Sequence, residues 1–119
     1  MVVHTIEPID TDAVIIGAGP VGLFQAFQLG LLEINCHIVD ALPHTGGQCV
    51  ELYGDKPIYD IPGTVATTGR GLADALLQQI APFKVPMHLG EQVMAVQREP
   101  DGRLRLSTTR GTVFLAKTV

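Results

Sequence analysis

Residues 12–22 of the chain, DAVIIGAGPVG, join an apolar, β-branched run to a glycine-rich turn. The run at residues 12–16 predicts a strand that is buried on both faces of a parallel sheet. Pro20 can open a helix, because its missing N–H group would have no partner there, and apolar residues recur at helical spacing as far as Glu33. Residues 36–40 predict a second strand, so this part of the chain forms a β-α-β unit.

The glycines of the turn form a GxGxxG pattern between a predicted strand and a predicted helix, which favours a dinucleotide site over a ligand-free glycine turn. Gly17 permits the tight turn, Gly19 leaves room for a pyrophosphate, and Gly22 lets the helix pack closely on the strand. The start of the helix adds unpaired N–H groups and a partial positive charge for the phosphates.

Asp40 stands at the end of the second predicted strand, 21 residues after Gly19. A carboxylate at this place can accept hydrogen bonds from both ribose hydroxyls of an adenosine, although a solvated surface aspartate is the alternative. Because the carboxylate would repel a 2′-phosphate, the sequence predicts FAD or NAD as the bound nucleotide and not NADP.

The second half of the chain changes from loop to helix to strands. Residues 41–68 predict a long ordered loop with one short strand at 58–61, and a loop of this length is where ligand contacts are expected. A second helix, capped by Thr68, is predicted to end at Pro82. Short strands are then predicted at four places, of which the last three form an antiparallel meander: residues 86–89, 91–98, 103–109 and 113–115.

The length of 119 residues fits one domain. We expect residues 1–11 to form a loosely held leader and residues 12–119 to form the domain. The last strand of the meander is expected to end at an exposed sheet edge near Val119, where apolar surface would favour self-association.

The charge distribution excludes several classes of protein. The net charge is −4, with seven acidic and no basic residues up to Asp55, which argues against binding to nucleic acid and against a signal peptide. Residues 13–32 carry no charge, but Gly17, Gly19 and Pro20 interrupt the run near its start, so we do not expect a membrane span. The sequence therefore predicts a cytoplasmic protein without a membrane contact.

The cysteines and histidines give no sign of a metal or disulfide site. Cys36 and Cys49 are too few and too far apart for a disulfide scaffold or a CxxC motif, and we interpret both as reduced packing residues. The histidines are scattered over different predicted elements without cysteine or carboxylate at ligand spacing: His4, His37, His44 and His88. His44 is interpreted as a solvated loop residue.

Several motifs together resemble a known family. Residues 17–24 (GAGPVGLF), 40–48 (DALPHTGGQ), 52–53 (LY) and 58–63 (IYDIPG) are similar to those of the thioredoxin-reductase-like ferredoxin/flavodoxin–NADP reductases. The resemblance implies a homodimeric flavoenzyme that passes electrons from NADPH through FAD to ferredoxin or flavodoxin. It also implies an α/β fold, namely a Rossmann-like FAD-binding domain with the three-stranded antiparallel β-meander.

The resemblance implies roles for individual residues but no catalytic residue. FAD contacts carry over to the glycine turn with Pro20, to Asp40 at the ribose, and to the following four positions: Gly47, Gln48, Tyr53 and Val93. Gln48 and Tyr53 would lie near the flavin and Val93 near the adenine. From the residues alone, Gln48 could equally brace the loop, and Tyr53 and Val93 could be packing residues.

The chain departs from this family in length, because full members are roughly three times longer and contain a second GxGxxG in an NADPH domain. We therefore expect a fragment that folds but binds FAD weakly and does not oxidise NADPH. Two alternatives remain open. Thioredoxin reductase proper shares this half of the fold, and a non-catalytic module that binds an adenine dinucleotide is the second alternative.

Overall fold

A computed structural model describes residues 7–119 of the chain, and within that range it describes Tyr53 by its backbone only. The α-helices of this part are α1 (Pro20–Leu31), α2 (Gly47–Tyr53) and α3 (Gly69–Ile80), and a 3-10 turn follows at Ala81–Phe83. The strands are β1 (Ile9–Ile16), β2 (Cys36–Asp40), β3 (Pro57–Ile58), β4 (Thr67–Thr68), β5 (Met87–Leu89), β6 (Val93–Arg98), β7 (Leu104–Thr108) and β8 (Val113–Thr118).

Six of the strands form one sheet in the order β5-β2-β1-β8-β7-β6, and β3 pairs with β4 in a separate small ribbon. The pairs β1·β2, β2·β5 and β1·β8 are parallel, whereas β6·β7 and β7·β8 are antiparallel. The predicted α/β class, the β-α-β unit and the antiparallel meander are thereby confirmed. This arrangement also places the ends of β1 and β2 side by side.

The six-stranded sheet is strongly curled. Its edge strands β5 and β6 are joined by residues 90–92 only. In a flat sheet, five steps of about 4.8 Å would separate these edges by about 24 Å. The connection from Leu89 to Val93 spans at most about 15 Å. The sheet must therefore roll until its two edges approach each other, and this brings Phe114 of β8 against His37 of β2 and His88 of β5.

Two hydrophobic clusters cover the two faces of this sheet. One lies between the sheet and helices α1 and α3 and includes Ala13, Leu23, Cys36 and Ile38. The other lies inside the curl and consists of five buried residues: Val14, Val39, Leu106, Phe114 and Ala116. Neighbouring residues Ala13 and Val14 are thus buried on opposite faces, as predicted for a strand in a parallel sheet. Burial also raises the pKa of the Cys36 thiol, which agrees with a packing role.

Helix α3 begins as predicted. The Thr68 side chain accepts a hydrogen bond from the Gly71 N–H group at 3.0 Å, which makes it the N-cap. The helix ends at Ile80, and Pro82 lies in the 3-10 turn that follows. Every helix within residues 7–119 is too short or too polar to span a lipid bilayer.

The first strand begins earlier than predicted. It starts at Ile9 instead of residue 12, because residues 9–11 pair with Phe114, Leu115 and Ala116 of β8. Residues 9–11 therefore belong to β1 and not to the expected leader, and residues 1–6, with His4, lie outside the described residues. The error arose because the partner strand is about a hundred residues away in the sequence.

The predicted loop at residues 41–68 is more structured than expected. It contains helix α2 and the two-stranded ribbon of β3 and β4. Helix α2 was not predicted because a glycine pair stands at its start. The strand predicted at residues 58–61 is wrong in its bounds, since β3 ends at Ile58.

The exposed edge predicted near Val119 is also wrong. Strand β8 lies between β1 and β7 and is paired on both sides, so the edges of the sheet are β5 and β6. The prediction failed because the meander was treated as a separate unit, whereas its third strand continues the parallel sheet.

Candidate functional site

The glycine turn between β1 and α1 forms the floor of the candidate site. Gly17 has a φ of +116°, a conformation that side chains with a Cβ rarely adopt. A Cβ on Gly22 would lie 2.0 Å from the Gly17 carbonyl oxygen, so the helix can approach the strand only without one. Gly19 is the N-cap of α1 and has no side-chain cap, which leaves the first-turn N–H groups open to a ligand.

Asp40 is tied directly to this turn. Its Oδ2 accepts the Ala18 N–H group at 2.6 Å, and its Oδ1 accepts the Leu42 N–H group at 2.8 Å. A carboxylate has about four acceptor positions, so two remain for further donors such as hydroxyl groups. Asp40 therefore braces the glycine turn in addition to offering acceptors, a role that the sequence analysis missed because its donors are backbone groups.

A second glycine pair borders the first turn. The Gly46 N–H group donates to the Ala18 carbonyl at 2.8 Å, and Gly46 and Gly47 both have positive φ values. A Cβ on Gly47 would come within 3.0 Å of the Gly19 Cα. The two glycine turns therefore pack backbone against backbone, and both stand at the carboxyl end of the parallel strands, where α/β folds bind ligands.

Gln48 and Tyr53 both belong to helix α2, which begins at Gly47 beside this turn. Gln48 is exposed, so its amide is accessible from solvent. The side chain of Tyr53 lies outside the described residues. The structure thus places the backbone of both predicted flavin contacts on one short helix that starts at the site.

The residues that precede Val93 are hydrogen-bonded to the end of β2. The Glu91 N–H group donates to the Asp40 carbonyl at 3.0 Å, and the Gly90 N–H group donates to the Leu42 carbonyl at 2.9 Å. Val93 itself is half-buried at the start of β6 and packs against the cluster inside the curl. The first glycine turn, Gly46 and residues 90–91 are therefore hydrogen-bonded to one another or to the end of β2.

His44 lies in the loop before α2 with its side chain 41% exposed, as interpreted from the sequence, and it is also paired. Its Nε2 lies 2.5 Å from Glu51 Oε1, and its Nδ1 lies 3.1 Å from the Thr45 carbonyl. The Thr45 carbonyl and then the Glu51 carboxylate raise the pKa of His44 above its ordinary value. Within residues 7–119, no cluster of metal-binding side chains is present.

The pairing of His44 predicts a pH dependence of stability. Because the pKa is raised in the folded state, the contribution of the pair is fully present below the ordinary value of 6.5 and is lost as pH rises through the raised pKa. The contribution will be small, since both side chains are partly exposed. An NMR titration of the His44 ring should show the raised pKa, and Glu51→Gln should lower it. An unchanged pKa in that variant, equal to that in the distant control Glu33→Gln, would contradict the pairing.

Known proteins resemble this chain over nearly its whole length. It is 62% identical over 112 residues to a ferredoxin–NADP reductase of Acidovorax sp., which covers 94% of the chain and 32% of the relative. It is 59% identical over 113 residues to the ferredoxin–NADP reductase of Albidiferax ferrireducens, covering 95% of the chain and 32% of the relative. The chain thus spans about a third of the length of the curated relatives it matches. No protein-family model matches it.

Solved structures match the fold. The thioredoxin reductase of Streptococcus pyogenes superposes with a TM-score of 0.79 at 22% identity, covering 93% of this chain and 34% of the other. The thioredoxin reductase of T. acidophilum gives a TM-score of 0.77 at 23% identity, covering 91% and 33%. At this identity the match concerns the fold alone. Sequence and fold together confirm the resemblance that the motifs predicted: the chain is similar to a segment of the ferredoxin–NADP reductases and folds like the corresponding part of the thioredoxin reductases.

Proposed function

We propose that these 119 residues are the N-terminal part of an FAD-binding domain in a ferredoxin– or flavodoxin–NADP reductase. The observation that carries the proposal is the convergence of two glycine turns and Asp40 at the ends of β1 and β2. This is the place where α/β folds bind dinucleotides. The reductase activity is proposed from the names of the relatives, which are ferredoxin–NADP reductases.

The residues present fit an adenine dinucleotide. A Cβ on Gly19 would meet only the Gly47 Cα, at 3.8 Å, within a radius of 4 Å. The space beside this glycine is therefore open on the side away from Gly47, next to the unpaired N–H groups at the start of α1. A pyrophosphate needs such a gap and such donors. The acidic Asp40 would at the same time disfavour a 2′-phosphate.

Each of the predicted residues has a place in this proposal. Gly19 and the open N–H groups at the start of α1 would hold the pyrophosphate, and Gly17, Pro20 and Gly22 would give the turn and the helix the shape that this needs. Asp40 would accept hydrogen bonds from the ribose. Gly47, Gln48 and Tyr53 would lie toward the flavin, and Val93 would lie toward the adenine. The redox chemistry in such an enzyme is supplied by FAD, while the protein supplies binding and placement, so none of these residues is proposed as catalytic.

The whole protein would be a cytoplasmic homodimer that takes electrons from NADPH and delivers them to ferredoxin or flavodoxin. The NADPH-binding part would lie outside these residues, since the relatives are about three times longer. We accordingly propose that the 119 residues alone bind FAD weakly and do not oxidise NADPH.

The experiment that tests this function uses the protein as its gene encodes it. The purified protein should show the absorbance spectrum of a bound flavin, and it should reduce ferredoxin or flavodoxin with NADPH. Reduction of thioredoxin instead would favour thioredoxin reductase, the first of the two alternatives left open by the sequence. Tight FAD binding without any electron transfer would favour a non-catalytic dinucleotide-binding module.

Replacing Asp40 by alanine should weaken FAD binding. The ribose would lose its charged acceptors, and the Ala18 and Leu42 N–H groups would lose their partner. We expect a loss of about 1–3 kcal/mol in binding free energy, measured by titration of the flavin-free protein with FAD.

The matched control for this change is Asp12→Ala. Asp12 also accepts a backbone N–H group, that of Asn35, but at the opposite end of the parallel strands. Its removal should leave FAD affinity unchanged. If the Asp40 variant and the unaltered protein bound FAD with equal affinity, Asp40 would not be part of the site.

A further inference from the structure

Glu91 is a buried carboxylate that the proposed site does not use. It follows strand β5 and is 7% exposed, as is its partner Thr108 at the end of β7. The Thr108 hydroxyl donates to Glu91 Oε2 at 2.8 Å. The same hydroxyl accepts the N–H groups of Arg110 and Thr112, at 3.3 and 3.2 Å, and so gathers the β7–β8 turn around the carboxylate.

Two imidazoles extend this contact across the inside of the curled sheet. His88 Nδ1 lies 4.0 Å from Glu91 Oε1, and His88 Nε2 lies 2.9 Å from His37 Nδ1. Both rings pack edge-on against Phe114. Burial, followed by the neighbouring His88, holds the pKa of His37 below its usual value. We call Glu91, Thr108, His88 and His37 the Glu91 network.

The carboxylate of Glu91 is kept ionised by its surroundings. Burial by itself would raise the pKa of Glu91, but this effect is outweighed by the hydrogen bonds of Thr108 and Thr112 and by the nearby His88 and Arg110 side chains, which together lower the pKa. Leaving a buried ionised group without its partners costs much free energy. Glu91 therefore holds the neighbouring residues in the positions that keep its hydrogen bonds.

The backbone of the same segment reaches the site. The Glu91 N–H group donates to the Asp40 carbonyl, and Gln92 exchanges hydrogen bonds with Thr109 in the β7–β8 turn. Residues 90–92 are therefore fixed at one side by the end of β2 and at the other by the β7–β8 turn. Val93 follows directly, so the distance between Asp40 and Val93 depends on how this short connection is held.

We propose that Glu91 and Thr108 are positioning residues that set the separation between Asp40 and Val93, and thereby the affinity for the adenosine end of the dinucleotide. Neither side chain is assigned a ligand contact; both act through the backbone of residues 90–92. The inference rests on the proposed FAD function, because Asp40 and Val93 are the residues placed at the ribose and the adenine.

The test compares three threonine variants of the encoded protein, with ADP and FAD as the probes. Thr108→Val keeps the shape but removes the hydroxyl that holds Glu91. It should weaken both ligands by about tenfold, because residues 90–92 would no longer be held between β2 and the β7–β8 turn. Thr108→Ser keeps the hydroxyl and should restore affinity to within about twofold. Thr11→Val is the control, since the Thr11 hydroxyl donates to the Asn35 carbonyl far from the site, and should bind normally.

The outcomes distinguish the positioning role from the proposed function. Thr108→Val with the affinity of the Thr11→Val control would overturn the positioning role. If Thr108→Val does not fold, Glu91→Gln replaces it. The amide has the same size and its oxygen can accept the hydrogen bond of the Thr108 hydroxyl, but it lacks the charge of the carboxylate. A weaker affinity for ADP would then support the role, and an unchanged one would overturn it. Failure of the unaltered protein to bind either ADP or FAD would overturn the proposed function instead.

Discussion

Replacing Gly22 by alanine is expected to destabilise the domain severely. The added Cβ would lie 2.0 Å from the Gly17 carbonyl oxygen and 3.2 Å from the Ile15 side chain. Because the first contact is with the backbone, no rotation of a side chain can relieve it, and α1 must move away from β1. We expect a loss of about 3 kcal/mol in the free energy of unfolding. For a domain of this size, this lowers the melting temperature by roughly 10–20 °C.

The melting temperature can be followed by circular dichroism, with Gly19→Ala as the matched control three residues earlier. At Gly19 the backbone conformation is extended, with φ at −77°, and the added Cβ makes only an ordinary contact. The cost there is limited to a less favourable N-cap, about 0.5–1 kcal/mol. If the two variants melted at the same temperature, the close approach of α1 to β1 would not be a determinant of stability.

The Gly19→Ala variant has its large effect on binding instead. Its Cβ would occupy the open space beside the start of α1, where the proposal places the pyrophosphate. We expect the folded variant to lose at least about tenfold in FAD affinity, which corresponds to ~1.4 kcal/mol. The measurement is a titration of the flavin-free variant with FAD at a temperature at which its circular dichroism is native.

An exposed substitution on the same helix controls for general effects on α1. Gln25→Ala changes a solvent-facing residue of this helix and should leave FAD affinity unchanged. Native FAD affinity in Gly19→Ala would show that the pyrophosphate does not lie against this glycine, and the proposed site would have to be abandoned.

Features of this chain that depend on neighbouring residues could be predicted from the sequence, whereas contacts between distant residues could not. The strand at Val14, the helix that opens at Pro20 and the cap at Thr68 depend on neighbours within a few residues, and all three are confirmed. Helix α2 was missed although it is local. It begins at Gly47, which has a positive φ, and glycine pairs are more typical of loops.

The amino-acid sequence by itself determined the β-α-β unit, the glycine turn and the family resemblance, because periodicity and turn chemistry act over a few residues and motifs can be compared directly. Only the tertiary structure decided the contacts between distant segments. Three such contacts join residues that are 17 or more positions apart in the sequence: the hydrogen bond from the Ala18 N–H group to Asp40, the pairing of β8 with β1, and the buried pair of Glu91 and Thr108. Such contacts cannot be read from sequence periodicity. A carboxylate that accepts a hydrogen bond from a distant backbone or hydroxyl group has the same neighbours in the sequence as a carboxylate that is exposed to water.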